Sequence, residues 1–380
     1  MRKTINIGDL GTIITGKTPP TTNKNYYGDY AVFIKPTDIS EQSKYTYETE
    51  EMYSKLAAEK YESSLIPKGA ICVPCIGTIG TKMTMAPCDC YTNQSINSII
   101  CNENYDNEYV YYLIKNFLPR LKAYNLGTAS GREYVSKSNF EKIELVAEQD
   151  KEIQKKIGVI LSRYDSLIEN YQKQIKLLEE AARRLYKEWF IDLRFPGHEN
   201  TKIVDGVPKG WERKKVGDIA PIITGKKDAN FGTPDGEYPF FTCSQEPIKA
   251  PSFSFDCAAV LLSGNGDFNV KLYRGKFEAY QRTYVLSPCC AQHLYLLYYT
   301  ISANMTKLAA GSSGSTIKFL TKGMIDGINL NVPNDEILET FNKKVEPIQS
   351  SRESLQSQIR LLTEARDRLL PKLMSGEITV

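Results

Sequence analysis

Apolar residues between Gln149 and Phe190 fall at Ile153, Ile157, Ile160, Tyr164, Leu167 and Tyr171, then resume one step out of phase at Ile175, Leu178, Ala182, Leu185 and Trp189. Alternating steps of four and three are the seam of a coiled coil, and the phase change is a single stutter. A helix of that length spans roughly 60 Å, and its seam has no partner nearby in sequence. The same rhythm recurs at the far end, at Leu338, Phe341, Val345, Ile348, Leu355, Ile359, Leu362, Leu369 and Leu373. Two long helices, each following a non-helical half, are expected to pair. Arg352 and Arg366 interrupt the second seam, where a charge needs an open edge or an acid on the first helix. Pro347 is expected to kink that helix or to mark where its long part starts. Pro196 and Gly197 are expected to stop the first helix.

The non-helical halves resemble each other. INIGDLGTIITGK (Ile5 to Lys17) is echoed by KVGDIAPIITGK (Lys215 to Lys226), and the glycine-turned run Leu65 to Pro87 by Phe255 to Gly275. TNQSINSIIC (Thr92 to Cys101) matches AYQRTYVLSP (Ala279 to Pro288), and the helical Glu108 to Leu118 matches His293 to Ser302. Gly127 to Gln149 pairs with Gly311 to Asn334, each leading into its helix, where LLEEAARRLYKEWF (Leu177 to Phe190) corresponds to LLTEARDRLLPKLM (Leu361 to Met374). The chain is a module followed by a rod, written twice. The expected divisions are 1–148, a first module; 149–190, the central helix; 191–210, a linker; 211–333, a second module; and 334–380, the terminal helix and tail. Trp211 is expected to pack between the second module and its rod.

Composition narrows the chemistry. A net charge of +3 permits nucleic-acid binding without demanding it. No apolar run reaches the length of a membrane span and the start lacks a signal peptide's apolar stretch, so a cytoplasmic protein without a membrane partner is expected. Two histidines leave little room for histidine-based triads or metal sites. The nine cysteines are an odd number. Cys72, Cys75, Cys88 and Cys90 have a spacing that suggests zinc, but the first two lie in a strand-like segment where a thiol packs as a small apolar group. No metal is expected.

GTIITGKT, Gly11 to Thr18, fits the P-loop pattern letter for letter. A phosphate cradle needs a helix opening at its Gly-Lys-Thr, and here Pro19 and Pro20 follow, with no helical period beyond. No catalytic constellation is found. What repeats is polar, glycine-rich and basic. Thr15, Gly16 and Lys17 stand against Thr224, Gly225 and Lys226, with Lys227 following, and Thr78, Gly80 and Lys82 against Asn265, Lys271 and Arg274. Gln94 stands against Gln281 and Arg282, and Ser130 and Arg132 against Ser315 and Lys318. Lys35 and Thr37 join them in the turn after AVFIK. Glycine turns bring backbone N–H groups to phosphates, and the side chains supply charge and donors for base edges. Two similar modules on a rigid spacer suit a bipartite DNA site. The competing reading is an interaction scaffold whose modules bind protein or carbohydrate.

The openings ending in IITGK, the PKGAICVPCIGTIGTKM and TNQSI segments, VAEQ before the first rod, LYKEWFIDLRF after it, PKGWERKKVGDI and the terminal LLPKLMSGEI together resemble the specificity subunits of type I restriction-modification enzymes. The second copy departs, with SGNGD in place of GTIG and VPNDE in place of VAEQ. The resemblance implies an α+β fold: two mixed α/β target recognition domains joined by an antiparallel pair of long coiled-coil helices, with an internal pseudo-two-fold repeat. It implies a non-catalytic subunit in which each domain reads half of a bipartite site on double-stranded DNA while the helices set the gap. Two modification (methyltransferase) subunits would dock on it, with restriction and motor subunits joining for cleavage. S-adenosylmethionine, ATP and magnesium would belong to those partners, with no cofactor in this chain.

Overall fold

The computed structural model describes residues 2–125, 133–266, 268–312 and 318–380. The fold is α+β, in two compact units: Met1–Lys173 with Leu355–Val380, and Gln174–Ser354. Among the described residues four helices exceed ten residues, α1 (Asn107–Phe117), α2 (Lys151–Tyr186), α3 (Leu294–Ala310) and α4 (Asp335–Ser375). The long helices α2 and α4 are each divided between the units.

In the first unit the opening strand Arg2–Asn6 lies antiparallel to Glu144–Glu148, so the module begins and ends at one edge and runs directly into α2. Its main sheet comprises β1 (Gly11–Thr15), β2 (Ile71–Pro74), β3 (Thr84–Met85) and β4 (Ile96–Cys101), in the order β1-β4-β2-β3. Strand alternation sends Ile71, Val73 and Cys75 into the core under α1, and Cys72 into a separate cluster with Ile34, Ile66 and Cys90. Cys72 and Cys75 are packed thiols, each pushed up to about 12 by burial. Asp106 caps α1 by accepting from the Tyr109 amide at 3.0 Å. Ile157 and Leu161 of α2 and Leu370, Leu373 and Met374 of α4 complete this core. Arg2 donates to the carbonyls of Leu373 and Met374, both at 3.0 Å, which have no partner within the helix.

The second unit repeats the plan. Glu212–Lys215 pairs with Asn329–Val332. Strands β5 (Ile222–Thr224), β6 (Phe255–Ser263), β7 (Val270–Ala279) and β8 (Thr283–Leu286) take the order β5-β8-β6-β7, and Tyr238–Phe241 and Ile248–Ala250 extend the sheet. Register corrects one detail of the repeat. Lys271 faces Leu261 as Thr84 faces Cys72, so it stands on a strand at the place of Thr84, outside the turn that holds Thr78, Gly80 and Lys82. Helix α2 ends before Pro196 is reached. After a π-turn at Lys187–Ile191, Leu193 adopts φ 57° and the Arg194 amide bonds back to the Glu188 carbonyl at 2.8 Å. Trp211 does pack where expected, against Phe190 and Phe195, with Phe190 edge-on to Phe341 of α4.

The seam of the long helices includes charge. Asp165 and Arg366 are 4% and 5% exposed and form an ion pair inside the first unit, where the Tyr112 hydroxyl donates to the second Asp165 oxygen at 2.5 Å. In the second unit Arg352, also buried, lies 3.6 Å from Glu179. Both arginines thus meet acids of the first rod. The numbers 165 with 366 and 179 with 352 share one sum, so a single antiparallel register holds in both units. Leu177 matches Leu361 in the repeat, an offset of 184, and under that register the point of α2 that faces its own repeat counterpart falls between Lys173 and Gln174, where the units divide on that helix. Two positions on the long helices differ from expectation. Leu167 is 38% exposed, and Leu161, Asp165 and Ile168 are buried in its stead, because α2 packs on the module as well as on α4. Helix α4 starts twelve residues before Pro347 and continues through it, so Pro347 does not mark the start of its long part. Phe341 and Val345, in the turns before it, are fully buried, and their packing offsets the lost hydrogen bond.

Removing one partner from a buried pair leaves an uncompensated charge, so Asp165→Ala or Arg366→Ala is expected to destabilise the first unit by about 3–5 kcal/mol. Asp165→Leu combined with Arg366→Met is expected to recover much of that loss. Urea unfolding of the four proteins checks the order, and single variants as stable as the parent would contradict it.

Candidate nucleic-acid interface

The shared Thr-Gly-Lys turns are built by close backbone crossing. Beyond β1, the Gly16 amide donates to the Ile96 carbonyl at 3.1 Å and the Lys17 amide to the Thr92 carbonyl at 2.9 Å. A Cβ on Gly16 would sit 2.1 Å from the Thr92 oxygen, and one on Gly225 would sit 1.9 Å from the Ala279 oxygen. Only glycine fits either crossing. No helix opens at Gly16 to Thr18, so the P-loop match has no phosphate-binding geometry behind it. The crossing instead carries the residues after the glycine to the turn before β4 or β8. There the Thr18 hydroxyl bonds to the Gln94 carbonyl oxygen, and Gln281 Nε2 donates to Asp228 Oδ1 at 2.6 Å.

In the second unit a cleft of about 410 Å³ gathers Thr224, Gln281 and Arg282 with Gly264, Tyr284, Phe319, Thr321 and Lys322. Asn265 bridges to Phe319, and Lys318 is exposed beside it. Lys226, Arg282, Lys318 and Lys322 are exposed, and among the described residues none has a carboxylate at ion-pair distance. Lys227 lies over the Phe231 ring at 4.3 Å. In the first unit Thr15 donates to Asn97 Oδ1 at 2.7 Å and Lys17 Nζ to Ser63 Oγ at 3.2 Å, with Gln94 exposed next to them. Thr78 is exposed and Lys82 half-buried, flanking the left-handed glycine turns at Gly77 and Gly80. Despite its changed sequence the second copy keeps this turn. The Leu320 amide bonds to Gly264 as the Val135 amide does to Cys75, and Gly266 matches Gly77 in its positive φ.

Other candidates are engaged within their own unit. Lys35 holds Glu50 at 2.7 Å and Glu51 at 3.1 Å; burial pulls its pKa down, but the two acids outweigh it and the net shift is upward. Thr37 is exposed in the turn that Asp38 closes by accepting from the Lys35 amide at 2.8 Å. Lys271 donates to the Ser244 carbonyl at 2.8 Å, with its pKa lowered by burial. Arg274 does not line the cleft. It holds both Glu346 oxygens, at 2.9 and 3.1 Å, and the Tyr295 hydroxyl, so it ties β7 to α4. Ser130, Arg132 and Ser315 lie outside the described residues. Sequence reasoning missed Asp228, Tyr284, Phe319, Thr321 and Lys322. The repeat held a signal for the last two, since Thr321 caps a short helix starting at Lys322 as Ser136 caps one starting at Lys137. Among the described residues no three His, Cys, Asp or Glu side chains gather around a possible metal.

Two like modules, each with a polar turn at one crossing and each feeding one long helix, agree with a comparison to known sequences. Residues 2–180 and 208–358 both match the type I restriction modification DNA specificity domain. The chain belongs to that family. It is 27% identical over 406 aligned positions to the type I restriction enzyme MjaIX specificity subunit of Methanocaldococcus jannaschii, covering 98% of this chain and 93% of that one. The EcoDI specificity subunit of Escherichia coli is 37% identical over 46% of this chain and 40% of its own length. The crystal structure of the type I restriction-modification S subunit from M. genitalium shares the fold, with a TM-score of 0.60 and 16% identity over 98% of this chain and 96% of that one. Among the described residues no helix is long and apolar enough to cross a membrane.

Gly225→Ala, whose methyl meets a backbone oxygen, is expected to destabilise the second unit by about 1–3 kcal/mol. Gly323→Ala, in a short helix with open space around it, is expected to leave stability unchanged or raise it by up to about 1 kcal/mol. Denaturant midpoints of the two variants check the contrast.

Proposed function

We propose that this protein is the non-catalytic DNA-recognition subunit of a type I restriction-modification complex, each module reading one half of a bipartite site. The observation that carries the reading is the duplicated crossing, which sets Gln94 and Gln281 at the same place in two modules. In the second unit that place adjoins exposed Arg282 and Lys322 in one cleft. Exposed cations without acidic partners suit phosphates, and the glutamines suit base edges. The helices α2 and α4 set the gap between the two half-sites and offer surfaces to two modification subunits, with restriction and motor subunits joining them. S-adenosylmethionine, ATP and magnesium are held by those partners, and the complex works in the cytoplasm on double-stranded DNA.

Mapping methylated adenines in cells with and without the intact gene tests this. A bipartite motif that disappears with the gene is expected, and an unchanged methylome in an active system would refute the reading. Binding by the assembled complex should weaken steeply with salt as counterions are released. A scaffold binding protein or carbohydrate would show no such dependence on DNA.

The helices then act as a ruler. Seven residues added between Lys173 and Gln174 of α2, with seven at the facing point of α4 between Ser357 and Gln358, should lengthen the gap by about three base pairs, at 1.5 Å per residue against 3.4 Å per base pair. The bases read should not change. A changed half-site with a constant gap would contradict the ruler.

A further inference from the structure

The two equivalent glutamines are held by different chemistry. We infer that Asp228 is a positioning residue that orients Gln281 to read adenine, and that the first module, lacking this carboxylate, reads its half-site through a differently oriented Gln94. The inference rests on the DNA-recognition reading.

Gln94 and Gln281 correspond by register: the strand pairs Ile34–Thr92 and Phe241–Ala279 match, and each glutamine lies two residues further on. Both reach the segment after the glycine that the two copies share. Asp228 is exposed and, as a carboxylate, can only accept. Gln281 must therefore turn its Nε2 towards it, and the 2.6 Å contact is of that kind. This leaves Gln281 its carbonyl oxygen and one N–H. A phosphate suits that pair poorly, because it has no hydrogen for the carbonyl and is repelled by Asp228. Adenine's major-groove edge offers an N6 donor beside the N7 acceptor, the complement of what Gln281 retains. Arg282, next in sequence and in the same cleft, is free to take the phosphate.

In the first unit Pro19 stands in sequence where Asp228 does, and Thr18 makes the contact. With its carbonyl accepting from Thr18, Gln94 presents amide hydrogens, which suit the acceptor edges of guanine or thymine. The same fold position thus offers unlike readouts to the two halves of one site.

The test uses the complex assembled with its modification subunits and reads the methylated motif base by base. Asp228→Ala and Gln281→Ala are each expected to relax the same single adenine position in one half-site, by roughly tenfold in discrimination, with the other half and the gap unchanged. The double variant should go no further than either single one, and Asp228→Asn, which can donate as well as accept, should relax that position partly. Relaxation at different positions, a uniform loss of methylation at all sites, or an unaltered motif in a variant that assembles normally would overturn the role of Asp228. A wild-type complex with no bipartite motif would instead overturn the DNA-recognition reading. Asp228→Asn keeps the side-chain shape and serves as the decisive variant if Asp228→Ala does not assemble.

Discussion

A charge placed in a helix seam costs several kcal/mol unless an opposite charge meets it there. Asp165 with Arg366 in the first unit, and Glu179 with Arg352 in the second, impose that condition on the long helices. A one-residue slip would separate both pairs, so these contacts fix the register that apolar seams alone leave loosely determined. In the first unit the constraint extends into the module, because Tyr112 of α1 donates to the same carboxylate. The position of the module on its rod and the register of the rod are thus set by one buried cluster.

Within each module the comparable constraint is steric. The backbone passes so close at Gly16 and Gly225 that a side chain is excluded, and the residues that follow are delivered to the neighbouring turn. The framework is fixed by atoms both copies share, while the contact it creates, Thr18 with Gln94 or Asp228 with Gln281, was free to diverge. A duplicated scaffold with unlike tips is what an asymmetric target requires.

The periodic features were legible in sequence. The long helices, the repeat, the acidic partners for Arg352 and Arg366, and the packing of Trp211 all follow from spacing or from the cost of burying charge. The features that escaped depend on long-range contact. Leu167 was placed in the seam and Asp165 was not, since a carboxylate reads as polar until Arg366, two hundred residues away, is seen beside it. Pro347 reads as a breaker because the buried residues around it are invisible to local propensity. Arg274 and Lys35 have the composition of ligand-binding residues, yet nearby acids claim them. Of the cleft, Gln281, Arg282 and Thr224 were found through the repeat. Asp228 had no signal, because its counterpart in the first copy is a proline.

The charged pairs occupy positions that the repeat does not share. By the offset of 184, Asp165 and Glu179 correspond to Gln349 and Thr363, and Arg366 and Arg352 to Ala182 and Ile168. Were two copies of the first half to pair through their helices in this register, Asp165 would face Ala182 and Glu179 would face Ile168, burying carboxylates without cations. Two copies of the second half would bury Arg366 against Gln349 and Arg352 against Thr363. Each half is complementary to the other and mismatched with itself, so the duplication has become a heterodimer written on one chain.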